Sequence, residues 1–146
     1  MLDIFDRVLV LKNSQIFSSV RTEDLAVVAR VLDEELFNTD DVIFSQGDYG
    51  EQMYLIQKGQ IGISFDGSSS EQGFYCLLGP GECFGEMVLL DEQPRSGTAH
   101  ALEETSVLSL NKEKLRTLII QYPELALGML KSLSLRLRRA NKVEKQ

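Results

Sequence analysis

The stretch that decides the reading is GPGECFGEMVLLDEQPRSGTAHA, residues 79–101. Glycines, two prolines, one arginine and several carboxylates stand between apolar segments. Glycine lets a ligand come close to the backbone. A short helical turn at EMVLL, residues 86–90, would point its first N–H groups at whatever precedes it, and such a terminus attracts an anion. Arg95 follows Pro94, and its planar fork can hold two oxygens of one phosphate. Ser96 adds a hydroxyl donor.

Glu86, directly after Gly85, is the odd member. A carboxylate accepts hydrogen bonds and cannot serve phosphate oxygens. It fits a sugar hydroxyl beside the phosphate, or a role in holding Arg95. A cyclic nucleotide presents a cyclised phosphate and a free ribose 2′-OH side by side, so the carboxylate points to a nucleotide rather than to bare phosphate. Taken alone, the same residues also read as a turn at Gly85 and a surface salt bridge between Glu86 and Arg95, because a glycine, an acid and a later arginine form a weak motif.

Outward from this stretch, the period of the apolar residues changes twice. In RTEDLAVVARVL, Thr22 is the expected N-cap, Glu23 and Asp24 suit the first turn, and Leu25, Val28, Ala29 and Leu32 form a helical stripe. The preceding MLDIFDRVLVLK also reads as a helix. From about residue 34 the period becomes two: Ile61, Ile63 and Phe65 alternate with Gly62 and Ser64, the pattern of a half-buried strand. DGSSSEQG reads as a hairpin loop, and FYCLLG, TAHALE and SVLSLN read as further strands. Many short strands with frequent turns predict a small sandwich or barrel. Helices return at NKEKLRTLIIQY, with Asn111 as N-cap, and at the long segment opened by Pro123.

Composition narrows the function classes. The chain has 146 residues, fits one domain and carries a formal charge of -7, which argues against a nucleic-acid partner held by bulk charge. No apolar run approaches the ~20 residues of a membrane span, and the N-terminus lacks a basic n-region. Cys76 and Cys83 read as free thiols of a cytosolic protein, with Cys76 a small core residue. His100, the single histidine, is expected at the surface of its strand, facing away from the ligand side. No metal cluster, activated nucleophile or GxxxxGK[ST] loop is present, so an enzyme is not expected. Leu130, Leu133, Leu137 and Ala140 form a candidate coiled-coil seam, the proximal leucines expected on their own domain and the distal ones available to a second copy.

FGEMVLLDEQPRSGTAHA closely resembles the phosphate-binding cassette of the cyclic nucleotide-binding domain family, which includes the bacterial catabolite activators and the regulatory subunits of cyclic AMP-dependent protein kinase. IFSSVRTEDLAVVARVL, DVIFSQGDYGEQMYLIQKGQIGIS and LLGPGECFGEMVLL follow its pattern in order, so the resemblance covers roughly Ile16 to Asn141. It implies an α+β, mainly β, fold: an eight-stranded β-roll, jelly-roll-like, flanked by N-terminal helices and two C-terminal helices. The implied organisation is one cyclic nucleotide-binding domain over residues 1–146, with N-terminal helices in 1–33, the roll in 34–110, the cassette in 84–98 and C-terminal helices in 111–144. Carried over by position, Glu86 would take the ribose 2′-OH and Arg95 the exocyclic phosphate oxygens, with Phe84, Gly85, Met87, Ser96 and Gly97 completing the site. The last helix would be a lid whose Asn141 reaches the base.

By the same resemblance, serine rather than threonine at position 96 leans toward cAMP over cGMP. The expected role is a sensor that signals by lid closure to an output protein or a dimer mate. Its rivals are a ligand-free interaction module that kept the roll, and a catabolite-activator-like transcription regulator without its DNA reader. The helix-turn-helix of the catabolite activators would follow the lid, where this chain stops at Gln146, so direct nucleic-acid binding is not expected.

Overall fold

The computed structural model describes residues 2–65 and 74–144; the polar stretch read as a hairpin loop lies largely outside them. Two helices open the chain, α1 (Ile4–Lys12) and α2 (Thr22–Ala29). Eight strands follow: β1 (Asp33–Phe37), β2 (Val42–Phe44), β3 (Gln52–Lys58), β4 (Ile61–Ser64), β5 (Phe74–Leu78), β6 (Cys83–Phe84), β7 (Thr98–Ala101) and β8 (Thr105–Asn111). Helices α3 (Lys112–Gln121) and α4 (Pro123–Glu144) close it, and a 3-10 turn, Glu86–Leu89, interrupts the strands after β6.

The strands form two antiparallel four-stranded sheets, ordered β1-β8-β3-β6 and β2-β7-β4-β5. The expected eight-stranded roll with flanking helices is present, built as two sheets rather than one closed barrel. Strand β3 explains the packing. Both of its faces are buried, so MYLI reads as a continuous apolar run. Met53 and Leu55 point to the helices, where they join Leu108, Leu110, Phe17, Leu25 and Leu125 in one core. Tyr54 and Ile56 point between the sheets and meet Ile61, Phe84, Ala99, Ala101 and Val107 in a second core.

Helix ends follow local chemistry. Asp3 caps α1 by accepting from the Asp6 N–H, and Asn111 caps α3 by accepting from the N–H groups of Glu113 and Lys114. Thr22 is not the cap of α2: extended Arg21 takes that place, and its side chain pairs at 2.9 Å with buried Asp24 instead.

Several expectations about burial are overturned. His100 is buried, only 6% exposed, because β7 lies between β2 and β4 and all four of its residues are covered. Cys76 is exposed rather than in the core, because β5 is an edge strand and the packed cluster ends at Ile63 and Leu78. At the end of β4 the burial runs against the apolar alternation: Ser64 is fully buried, and Phe65, just past the strand, is 45% exposed. Ile63, at the margin of the packed cluster, and Phe65 line a cavity. On α4 the packed face is Leu125, Met129 and Ser132, with Leu133 at its margin, so Leu130 is exposed at 61% instead of resting on its own domain.

Candidate functional site

Arg95 organises the site. Its backbone is clamped by the loop before β3: the Arg95 N–H donates to Asp48 O at 2.7 Å, and the Gly47 N–H donates to Arg95 O at 2.9 Å. Its side chain is 5% exposed. Nη1 donates to Gly85 O at 3.1 Å and Nη2 to Gln52 O at 2.7 Å. The guanidinium carbon lies 4.0 Å from the centroid of the Phe44 ring, an attractive cation–π stack. Two glycines make room for this fork. A Cβ at Gly85 would come within 2.5 Å of Nη1, and a Cβ at Gly50 would collide with Nε and Nη2.

Gly85 also sets the turn. It adopts φ 75°, ψ 19°, the left-handed region open to glycine, and caps the 3-10 turn that carries Glu86 and Met87. Behind the turn, Phe84 stacks on Tyr54 with ring centroids 5.1 Å apart, and Tyr54 in turn meets Phe44. The aromatic cluster is therefore the floor on which both the turn and the arginine rest. At Gly97 a Cβ would come within 2.9 Å of Ser64 O, so β7 can enter its sheet only with a glycine there.

These elements enclose a cavity of about 330 Å³. Phe84, Gly85, Glu86, Met87, Arg95, Ser96 and Gly97 all line it. Asn141, the eighth sequence candidate, does not; it is exposed far along α4. The cavity also takes Phe44, Ile63, Phe65, Gln15 and Arg136, none of which the sequence reading picked out for this site. Arg136 comes from α4, where its Nη1 lies 3.8 Å from the Met87 sulfur. The α4 spacing alone gives no sign of this contact; Gln15 and Phe44 come from parts of the chain distant from the cassette.

The electrostatics are unusual. Glu86 and Arg95 do not form the salt bridge that the bland reading of the motif required. Among the described residues the ion pairs involve Arg21 and Lys114. Arg95 is thus a buried cation without a carboxylate in contact. Burial lowers its pKa, while Tyr54 and Asp48 act in the opposite sense from farther away. An arginine stays protonated under such a shift, so a positive charge is held at the cavity wall. Its Nη1 and Nη2 each carry a second hydrogen beyond the one given to a carbonyl. Behind the turn, burial pushes the Cys83 thiol up to about 12, with Glu86 and Glu82 adding to the effect. Among the described residues no group of three His, Cys, Asp or Glu is placed to hold a metal ion, and no helix is long and apolar enough to cross a membrane.

The cyclic nucleotide-binding domain family model matches residues 34–122. The cyclic AMP receptor protein of Thermus thermophilus is 35% identical over 131 residues, which is 90% of this chain and 61% of that protein. This chain therefore spans less than two thirds of that relative. The N-terminal domain of a transcriptional regulator from Streptomyces coelicolor A3(2) superposes with a TM-score of 0.80 at 28% identity, covering 92% of this chain and 94% of that one. The regulatory domain of Toxoplasma gondii PKA, crystallised with cAMP, superposes with a TM-score of 0.69 at 25% identity, covering 81% of this chain and 46% of that one.

Proposed function

The chain belongs to the cyclic nucleotide-binding domain family, and we propose that it binds cAMP in the Arg95 cavity as the input of a regulatory protein. The observation that carries this reading is the buried, carboxylate-free guanidinium at the wall of a nucleotide-sized cavity. A buried charge without a counter-ion is costly, and an anionic ligand offsets that cost. The phosphate accepts the remaining hydrogens of Nη1 and Nη2, together with the Ser96 hydroxyl and the N–H groups of the Gly85 turn. Glu86, which forms no ion pair among the described residues, accepts from the ribose 2′-OH. The base lies toward Ile63 and Phe65. Serine at 96 favours cAMP over cGMP, by the family resemblance.

Calorimetric titration with cAMP and cGMP tests this. The wild type is expected to bind cAMP at micromolar affinity or tighter. Arg95→Ala loses about 1.5–3 kcal/mol of that affinity, as for a hydrogen bond to a charged group. Gly50→Ala keeps the fork but displaces it, and loses about 1 kcal/mol or more. Failure of both nucleotides to bind at millimolar concentration would sink the reading and leave the ligand-free interaction module as its successor.

The output runs through α4. Leu127, Leu130 and Leu137 are exposed on this helix, at 57%, 61% and 62%. With Ser134 they repeat at three- and four-residue steps, the spacing of a coiled-coil seam. This is a different stripe from the one read off the sequence, because Leu133 turns toward the core. We read it as the contact with a second copy, and ligand capture beside Met87 and Arg136 as the event that repositions the helix before a partner. Sedimentation equilibrium checks the contact: Leu137→Glu should give a monomer, and a wild type that is already monomeric removes it. The free thiols Cys76 and Cys83 fit a reducing cytosol.

A further inference from the structure

A second, polar cavity of about 240 Å³ lies beside the first, lined by Asn13, Ser14, Gln15, Gly81, Glu82, Cys83 and Glu86. Two residues belong to both cavities, Gln15 and Glu86. They form the divide between them, on the side of the larger cavity where Glu86 stands. Glu86 comes from the 3-10 turn of the roll, Gln15 from the segment that joins α1 to α2.

The position of Gln15 is fixed from both sides. Ser14 is 2% exposed and Ile16 and Phe17 are fully buried. The Ser14 N–H donates to Leu11 O at 3.0 Å, the Ile16 N–H to Ser14 Oγ at 3.3 Å, and the Phe17 N–H to Ser14 O at 3.3 Å. A few residues on, the Ser19 N–H donates to Ser132 Oγ at 2.8 Å. Between Ser14 and Phe17 only Gln15 is exposed, and it lines both cavities from a backbone that is already ordered.

We propose that Gln15 is a ligand-reading residue that works as a pair with Glu86 on the ribose 2′-OH of the nucleotide. This rests on the functional reading above and adds a contact from outside the cassette. A hydroxyl has one proton to give and two lone pairs. Glu86, a pure acceptor, takes the proton. The Gln15 amide, which carries two N–H donors, gives one to a lone pair of the same oxygen. The pair selects a ribonucleotide over its 2′-deoxy analogue, and it ties the segment between α1 and α2 to an occupied site.

The test is titration of cAMP and 2′-deoxy-cAMP into the wild type, Gln15→Ala and Gln15→Glu, with thermal melting of each empty protein as a control for folding. Gln15→Ala is expected to bind cAMP about 5- to 10-fold more weakly, the worth of one neutral hydrogen bond, and to bind 2′-deoxy-cAMP as the wild type does. Gln15→Glu sets two acceptors against one proton and loses more. If Gln15→Ala leaves cAMP affinity unchanged, or weakens both ligands equally, the proposal is overturned while the nucleotide reading stands on its Arg95→Ala result. A wild type that binds no cAMP overturns both.

Discussion

The molecule has two cores, and they obey different rules. The one between the sheets and the helices is closed: Phe17, Leu25, Leu55, Leu110 and Leu125 have no exposed surface. The one between the two sheets is packed at Tyr54, Ile56, Ile61 and Val107, then opens toward Ile63 and Phe65 into the cavity under Arg95. One core is finished by the chain itself. The other is left unfinished, with a cation at its wall, and the missing volume has the size of a small ligand. Stability and recognition are thus drawn from opposite faces of the same strand, β3.

The sharpest way to break this comparison is a pair of truncations. Leu55→Ala empties a site in the closed core and is expected to cost about 2–5 kcal/mol in denaturant unfolding, the range for buried leucines that leave a void. Ile63→Ala removes a half-buried side chain at the margin of the packed cluster that also lines the cavity. It should cost about 1 kcal/mol or less in the empty protein, while weakening cAMP in calorimetry. Equal losses of stability from the two would mean that the inter-sheet core is as closed as the other.

A smaller effect sharpens the same contrast. Cys83 packs at the edge of the helix-side core and its thiol is pushed up to about 12 by burial. Raised in this way, Cys83 stays a thiol at pH 8 and gains thiolate as the pH rises toward that value. Cys76 on the edge strand of the other sheet is exposed. Iodoacetamide labelling read by mass spectrometry at pH 8 should therefore modify Cys76 first and leave Cys83 intact until the protein unfolds. Comparable rates would show that the core behind the cassette breathes.

The cassette was legible because its parts are close in the chain. Gly85, the turn at Glu86 and the arginine behind Pro94 lie within one short stretch, and each carries its chemistry locally. The cage around Arg95 was not legible, since Phe44, Gly50 and Gln52 meet it only through the pairing of distant strands. Strand period told which side a residue takes and not what covers that side. His100, read as outward, is covered because its strand lies inside the sheet, and Cys76, read as inward, is exposed because its strand lies at the edge. For α4 the heptad spacing was visible but its phase was not. The phase is set by where Met129 and Ser132 dock on the N-terminal segment, a contact between the two ends of the sequence.

That docking has a consequence for how the chain folds. The Ser19 N–H meets Ser132 Oγ across 113 positions, and Gly128 packs against Val20 so closely that a Cβ would come within 2.9 Å of its Cα. Helices as short as α1 and α2 are marginal alone in water, and the surface they need is supplied by β8, α3 and α4. The Ser19 and Gly128 contacts both join segments far apart in sequence, so loop closure must come before α1 and α2 gain the surface they rest on, and this side of the fold is expected to order late in refolding.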